Sequence, residues 1–239
     1  QQRKNIRILL AEDNITNQQV ATGILKNFGF AGVKTVLNGA QAVKEIEASV
    51  YDLVLMDIQM PEMDGHEACR LIRKIESESN KKRIPVIAMT AHAMKEDRDK
   101  CLEAGMDDYV SKPVDAKVLL EALERWLPQK KPVSASPAPA PDQVPKKEIK
   151  TENNLMVFDK NALMERLMDD MELFETVVSG FLDDMPKQIE ALTEHINQSN
   201  TEDAGRQGHQ IKGASGNIGA DALREIASEI EIAGKAGYS

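Results

Sequence analysis

Cysteine and long apolar runs are both scarce in this chain of 239 residues. Its two cysteines, Cys69 and Cys101, have neither metal-ligand spacing nor the even framework of a secreted, disulfide-rich domain. No apolar run approaches the ~20 residues needed to span a bilayer, and no charged-then-apolar leader opens the chain. We therefore expect a soluble, cytoplasmic polypeptide without membrane contact. Because it begins Gln-Gln-Arg-Lys without Met, we expect a fragment, whose longer parent could be membrane-anchored.

A glycine-rich loop able to hold ATP is also missing, and nothing resembles the nucleotide-binding boxes of a kinase catalytic domain. We therefore expect no ATP-binding catalytic domain in this chain. Formal charge is uneven, with −2 over residues 1–127, +2 over 128–157 and −9 over 158–239. The strongly acidic last segment argues against nucleic acid as a partner, because phosphate backbones require positive charge.

Proline, by contrast, is concentrated in one segment. Six prolines lie between Pro128 and Pro145, among Ala, Ser and Lys, where they remove hydrogen-bond donors and leave little to bury. We predict a proline-rich, semi-extended linker over residues 128–157. It would separate two domains, residues 1–127 and 158–239.

Short apolar runs alternate with segments of helical spacing throughout the first domain. This alternation predicts an α/β doubly wound fold with a five-stranded parallel sheet of order 2-1-3-4-5. The predicted strands cover residues 6–11, 33–37, 53–57, 85–90 and 108–111.

The second domain has a purely helical pattern from Phe158 onward. Successive amphipathic segments with short connections predict an all-α antiparallel bundle. Pro186 permits either a kink or a fresh helix start. The predicted helices cover residues 159–167, 170–185 with its continuation after Pro186, 201–216 and 220–236.

Carboxylates follow two of the predicted strands. Asp57 ends the apolar run at 53–57, and Glu12 and Asp13 end the run at 6–11. An acidic residue that merely ends a strand is the simplest explanation of Asp57 alone. Parallel strands that end level would nevertheless bring three like charges together, and these would raise one another's pKa unless a cation lay among them. A hard divalent ion, Mg²⁺ above all, would suit these oxygen ligands.

Two further strands end in groups of complementary chemistry. Thr90 supplies a hydroxyl and Lys112 an ammonium at the same predicted edge of the sheet. A metal, a carboxylate nucleophile, a hydroxyl and a lysine are the groups needed to hold a phosphoryl group.

In this order, these residues make residues 5–127 similar to a response-regulator receiver domain. The resemblance implies that Asp57 is the phosphoacceptor. It also implies that Glu12, Asp13 and the Gln59 carbonyl, together with Asp57, bind the metal.

The same resemblance assigns roles to the ends of the last two strands. Thr90 and Lys112 would contact the phosphoryl oxygens, and Tyr109 would be an aromatic switch that moves with Thr90. The Lys112-Pro113 bond is expected to be cis, as is usual in such domains.

A second candidate site surrounds His209, which lies outside the apolar stripe of its predicted helix. Gly205 and Gly213 lie four residues to either side of it, and Lys212 three residues on. Each glycine inside a helix costs about 1 kcal/mol relative to alanine, so some gain must offset them. They either clear space for a phosphoryl donor to approach the imidazole or allow tight helix packing, and the spacing does not decide between these.

The stretch from His209 to Ala220 resembles the signature of a histidine-containing phosphotransfer (HPt) domain, with similarity from about Phe158 to the end of the chain. The resemblance implies that His209 is phosphorylated and that Lys212 helps to neutralise the phosphoryl oxygens. Such domains usually continue with a further helix after the one resembling 220–236. Here that helix is missing, is supplied by another molecule, or is replaced by the helix at 159–167.

Receiver, linker and phosphotransfer bundle in this order resemble the C-terminal half of a hybrid sensor histidine kinase. The expected function is a phosphorelay module of two-component signalling. Asp57 would accept a phosphoryl group from a kinase core, which we expect to be part of the same parent protein, and exchange it with His209. His209 would then supply a downstream response regulator. His209 would then have to lie across the strand edge that carries Asp57.

Two other functions are weighed against the relay. A scaffold with inert sites would not need the intact set of functional residues. A phosphatase that forms an aspartyl phosphate would use a second Asp two residues after its nucleophile, whereas position 59 is Gln.

Overall fold

The computed structural model describes residues 3–79, 81–91, 95–127 and 157–236. The predicted linker at 128–157 lies outside the described residues except for Val157. Among the described helices, none combines the length and the hydropathy that a membrane span requires.

The first domain is a five-stranded parallel sheet of order β2-β1-β3-β4-β5, which confirms the predicted fold class and strand order. The three central strands, β1, β3 and β4, are almost wholly buried because helices cover both faces of the sheet. The strands are β1 (Arg7–Ala11), β2 (Gly32–Val36), β3 (Leu53–Asp57), β4 (Val86–Thr90) and β5 (Asp108–Ser111), each within one residue of its predicted bounds.

Within the described part of the first domain, five helices connect or follow these strands, and one 3-10 turn, Arg3–Asn5, precedes them. Asn14 caps the first helix by accepting a hydrogen bond from the backbone N–H of Asn17, and Asp115 caps the fifth helix in the same manner. The helices are α1 (Ile15–Asn27), α2 (Gly39–Ala48), α3 (Gly65–Glu78), α4 (Lys95–Glu103) and α5 (Ala116–Trp126).

Strand register brings the predicted site residues to one edge of the sheet. Ala11 pairs with Met56, so the residues that follow them, Glu12 and Asp57, end level. Thr90 pairs with Ser111, and Lys112 comes next. The carboxyl ends of four strands therefore converge, as expected for a doubly wound sheet.

The second domain is helical, with α6 (Lys160–Arg166), α7 (Met171–Asn197), α8 (Thr201–Ile218) and α9 (Asp221–Ala236). The fresh start that Pro186 permits does not occur, since α7 continues through it. Met185 and Leu192 are buried on either side of the proline, and this packing sustains the helix across the missing hydrogen bond. Gly219, with φ of 79°, ends α8 in the left-handed conformation.

The two domains pack together through α1 and α7. Leu173 of α7 lies directly over Gly23 of α1, and a Cβ placed on Gly23 would collide with the leucine side chain. Similarly, a Cβ on Gly180 of α7 would collide with the amide of Gln19. One cluster of buried apolar side chains includes residues of both domains, so the bundle is docked on the receiver rather than separate from it.

We predict that Gly23→Leu separates the domains without unfolding either of them. Leucine suits a helix better than glycine does, but it would overpack against Leu173, which costs about 1–3 kcal/mol. Small-angle X-ray scattering should show a larger radius of gyration, with unchanged helix content by circular dichroism. Glu47→Leu, on the exposed surface of α2, is the control and should leave the radius unchanged. An equally compact Gly23→Leu chain would show that the glycine is not needed for docking.

Candidate functional site

Three carboxylates meet at the carboxyl edge of the sheet. Asp57 ends β3 and is 3% exposed, and Glu12 follows β1 and is 1% exposed. With Asp13, each offers one oxygen, and these oxygens lie within 4.8 Å of one another. The convergence follows from the register of β1 and β3, so the structure places together the three acidic residues that the sequence singled out.

Lys112 lies between two of these carboxylates. Its Nζ is 2.6 Å from Asp57 Oδ2 and 2.7 Å from Glu12 Oε2. Burial alone would lower the pKa of Lys112, but the two carboxylates outweigh burial and raise it, so the side chain stays an ammonium. The Lys112-Pro113 bond is cis, as expected, and the Lys112 N–H donates to the Thr90 carbonyl at 2.7 Å.

The carboxylates carry more negative charge than Lys112 can balance. Burial, followed by repulsion from Glu12, raises the pKa of Asp57 well above its usual range. Burial and Glu12 also raise the pKa of Asp13 to about 6, against a hydrogen bond from Gln210 that lowers it. When all three carboxylates are ionised, they and the one ammonium carry a net charge of −2. A divalent cation with a preference for oxygen ligands matches both the charge and the donor set.

The remaining predicted receiver residues surround the same edge. Gln59 lies beside Asp57, with its backbone N–H 3.4 Å from Asp57 Oδ1. Thr90 is buried at the end of β4. Tyr109, on β5, is half-buried, and the guanidinium of Arg98 lies 5.6 Å from its ring centroid.

His209 is held by a carboxylate that the sequence reasoning missed. Its Nδ1 lies 3.1 Å from Oε1 of Glu231, which is buried on α9. With the proton on Nδ1, Nε2 carries the lone pair. Glu231 could have been suspected from its position one helical turn after the buried Ala227, because a carboxylate on an apolar face needs partners.

Two lysines complete the surroundings of Glu231. Lys212 Nζ is 3.0 Å from Oε2 and Lys235 Nζ is 2.6 Å from Oε1. Burial alone would raise the pKa of Glu231, but the bonds from His209, Lys235 and Lys212 hold it well below its usual range. Lys212, predicted to contact phosphoryl oxygens, is therefore paired with Glu231 in this structure.

His209 is only 9% exposed, although it lies outside the predicted apolar stripe of its helix. This burial lowers the pKa of the imidazole, while Glu231 acts in the opposite direction. The lowered pKa favours the neutral form of the ring. Glu231 of α9 contacts the ring, and receiver residues line a cavity beside it. His209 and Asp57 both line one cavity of about 60 Å³.

The two glycines that flank His209 have different neighbours. A Cβ on Gly213 would lie 3.2 Å from Asn17 Nδ2 of the receiver, whereas one on Gly205 would lie 3.1 Å from the Cα of Gly234 on α9. The sequence left two explanations open for these glycines, and the structure supports a different one for each glycine. Gly213 faces the docked domain, and Gly205 allows close packing of α8 on α9.

Amide side chains of α8 reach the acidic cluster of the receiver. Gln210 Nε2 donates to Asp13 Oδ2 at 2.6 Å. Asn217 Nδ2 donates to Asn17 Oδ1 at 2.6 Å, and Asn17 Nδ2 donates to Glu12 Oε1 at 2.8 Å. Sequence reasoning missed these residues, because no local pattern shows which side chains of one domain face another.

Comparison with known proteins identifies both domains. Residues 8–124 match the family model described as Response regulator receiver domain, and residues 176–238 match the one described as Hpt domain. The sensor protein GacS of Pseudomonas syringae pv. syringae is 40% identical over 120 residues, which is 50% of this chain and 13% of that protein. Histidine kinase 1 of Arabidopsis thaliana is 41% identical over 153 residues, 50% of this chain and 12% of that protein.

Solved structures also match about half of the chain. The receiver domain of a Pseudomonas aeruginosa sensor histidine kinase, crystallised with a magnesium ion in its active-site cleft, is 43% identical, with a TM-score of 0.46 over 51% of this chain and 96% of that one. A Saccharomyces cerevisiae complex of a histidine phosphotransfer protein with a receiver domain matches at 30% identity and a TM-score of 0.49, over 51% of this chain and 88% of that one.

These matches cover the sheet with its acidic edge and the helices that carry His209. The relatives named above are sensor proteins and histidine kinases, of which this chain spans about an eighth. The chain belongs to the response regulator receiver family through residues 8–124 and to the Hpt family through residues 176–238.

Proposed function

We propose that this chain is a phosphorelay module in which a phosphoryl group passes between Asp57 and His209. The observation that carries the proposal is the shared cavity of about 60 Å³ between the domains, which both side chains line. In-line transfer requires the two reacting atoms to lie on opposite sides of one phosphorus atom, and a cavity lined by both side chains is compatible with that requirement.

Asp57 would accept the phosphoryl group from a phosphohistidine of a kinase core. A carboxylate oxygen of Asp57 forms the new P–O bond, the P–N bond to the donor breaks, and the donor imidazole leaves with its electron pair. Lys112, already 2.6 Å from Asp57, would stay beside the product and contact a phosphoryl oxygen, with the Thr90 hydroxyl contacting another. Thr90 and Tyr109 would then report the phosphorylated state as a local two-state switch.

In the second step, transfer from Asp57 to His209, the nucleophile would be Nε2 of His209. Its lone pair forms a P–N bond as the P–O bond to Asp57 breaks, which regenerates the carboxylate. The imidazole gains positive charge in this step. Glu231, 3.1 Å from Nδ1, would stabilise that charge and hold the ring in the required tautomer.

We also propose that Glu12, Asp13, Asp57 and the Gln59 carbonyl hold Mg²⁺. The net charge of −2 left by three carboxylates and Lys112 supports a divalent ion at this position. When bound, the ion would neutralise phosphoryl oxygens and the crowded carboxylates together.

Access of partner proteins to His209 depends on whether the bundle is docked on the receiver. Because receiver residues line the cavity beside His209, the bundle must leave the receiver before another protein can reach the imidazole. The proline-rich segment 128–157 would permit this as a linker, and would return the bundle at a high effective concentration. We propose a histidine kinase core as the donor and a separate response regulator as the final acceptor, in the cytoplasm, with 1–127 and 158–239 as the two domains.

Our first functional prediction concerns the order of transfer. The chain is mixed with a histidine kinase core that carries radioactive phosphate on its own histidine. Wild type should label both sites, His209→Gln should label Asp57 alone, and Asp57→Asn should label neither. Alkali removes acyl phosphate and acid removes phosphohistidine, so the two products are separable. EDTA should abolish all labelling. Label on His209 of the Asp57→Asn variant would contradict transfer by way of Asp57. Full labelling in EDTA would contradict the requirement for a divalent metal ion.

A second prediction tests Glu231. Glu231→Gln keeps an acceptor for Nδ1–H but removes the charge, so transfer from Asp57 to His209 should slow by about 10- to 100-fold. Wild-type transfer should fall as pH drops through the pKa of His209, since a protonated ring has no lone pair. Without the carboxylate that raises this pKa, the fall should move to lower pH. Glu225→Gln, exposed on the same helix, is the control. A wild-type rate and pH profile in Glu231→Gln would remove Glu231 from the mechanism.

A third prediction concerns Gly213. Outside its own helix, the only described atom within 4 Å of a Cβ built there belongs to Asn17 of the receiver. Gly213→Leu should therefore leave the bundle folded but slow transfer from Asp57 by roughly 5- to 150-fold, as expected from overpacking of about 1–3 kcal/mol. Gly213→Ala is the graded control, because the amide end of Asn17 can shift by a few tenths of an ångström. Equal rates for all three chains would assign Gly213 to packing within the bundle.

A further inference from the structure

Two amide side chains on one face of α8 engage the carboxylates proposed to bind metal. Gln210 donates directly to Asp13 at 2.6 Å, and Asn217 reaches Glu12 through Asn17. We propose that docking of the bundle strengthens divalent-metal binding, with Gln210 as the positioning residue for Asp13, and that bound metal strengthens docking in return. This inference rests on the proposed metal site and adds to it a regulation by the second domain.

The chemical type of the donor supports this direction of coupling. A lysine at position 210 would neutralise Asp13 and compete with a metal ion for it. The neutral amide of Gln210 instead stabilises the ionised carboxylate and fixes its orientation while leaving its charge for the metal. Because the amide bonds Oδ2, the other oxygen of Asp13 remains available as a ligand.

Burial of the carboxylate cluster by the bundle also indicates that docking and metal binding strengthen each other. Covering three carboxylates with a protein surface removes water from charges that Lys112 balances only in part. A divalent ion cancels the remaining charge of −2, so the docked arrangement costs less free energy when the ion is bound. By thermodynamic linkage, the factor by which metal strengthens docking equals the factor by which docking strengthens metal binding.

Asn217 connects the bundle to a second part of the site. Its side chain is fully buried, and its Oδ1 accepts a hydrogen bond at 3.1 Å from the backbone N–H of Val114, two residues after Lys112. One amide therefore contacts both α1, which supports Glu12 through Asn17, and the segment that delivers Lys112. Docking therefore holds the carboxylates and the ammonium of Lys112 in one fixed arrangement.

The test measures Mn²⁺ binding to the full chain, with no phosphoryl donor present, through the electron paramagnetic resonance signal of the free ion. Gln210→Ala should weaken Mn²⁺ binding at least about fivefold, the lower end of ordinary coupling between two sites. The matched control is Gln207→Ala, which removes the same side chain from the same helix. Gln207 bonds Gln188 within the bundle, so this variant should bind Mn²⁺ as wild type does.

A reciprocal measurement uses small-angle scattering. Mn²⁺ should shift wild type toward the compact form more strongly than it shifts Gln210→Ala. Equal Mn²⁺ affinity in wild type and Gln210→Ala would overturn the proposal, and so would equal weakening in Gln210→Ala and Gln207→Ala, which would indicate a general effect on the helix.

The outcome is separable from that of the relay itself. If phosphotransfer between Asp57 and His209 occurs while Gln210→Ala binds Mn²⁺ normally, the relay stands and the coupling fails. If Gln210→Ala weakens Mn²⁺ binding while wild type transfers no phosphate, the coupling stands and the relay fails.

Discussion

The crowding of like charges at one strand edge is the constraint on which the rest of this structure depends. Parallel strands in register place Glu12 and Asp57 side by side, with Asp13 next to them, and burial makes this repulsion expensive. Lys112 relieves it only in part. The cluster is therefore compatible with the divalent cation and the phosphoryl group proposed above.

The bundle meets this anionic edge with a surface that adds no net charge at the contacts. Neutral amides from Gln210 and Asn217 contact the cluster or its supports, and burial lowers the pKa of His209, which favours its neutral form. Two cationic side chains of the bundle, Lys212 and Lys235, are paired with Glu231. At these contacts the two domains associate through hydrogen bonds and apolar packing.

Sequence patterns predicted the sheet and its order because the strands are apolar runs that end at polar residues, and strand ends of a parallel sheet meet. The same reasoning brought Asp57 and Glu12 together. It missed Glu231 and Gln210, because their importance depends on which helix faces pack together. It also treated Gly205 and Gly213 as equivalent, since spacing along a helix does not tell which neighbour each residue faces. The roles assigned to the individual site residues remain predictions.

Under the proposed function, burial of His209 affects any measurement of how tightly a response regulator binds this chain. A partner that must reach the imidazole can bind only those molecules in which the receiver has released it, so its apparent dissociation constant is the intrinsic one divided by the released fraction. A weak apparent affinity would then result from competition by the receiver of the same chain, even if the regulator itself binds the free bundle tightly. Changes at Gly23 or Leu173, neither of them near His209 in sequence, would alter that affinity as if the regulator itself had changed.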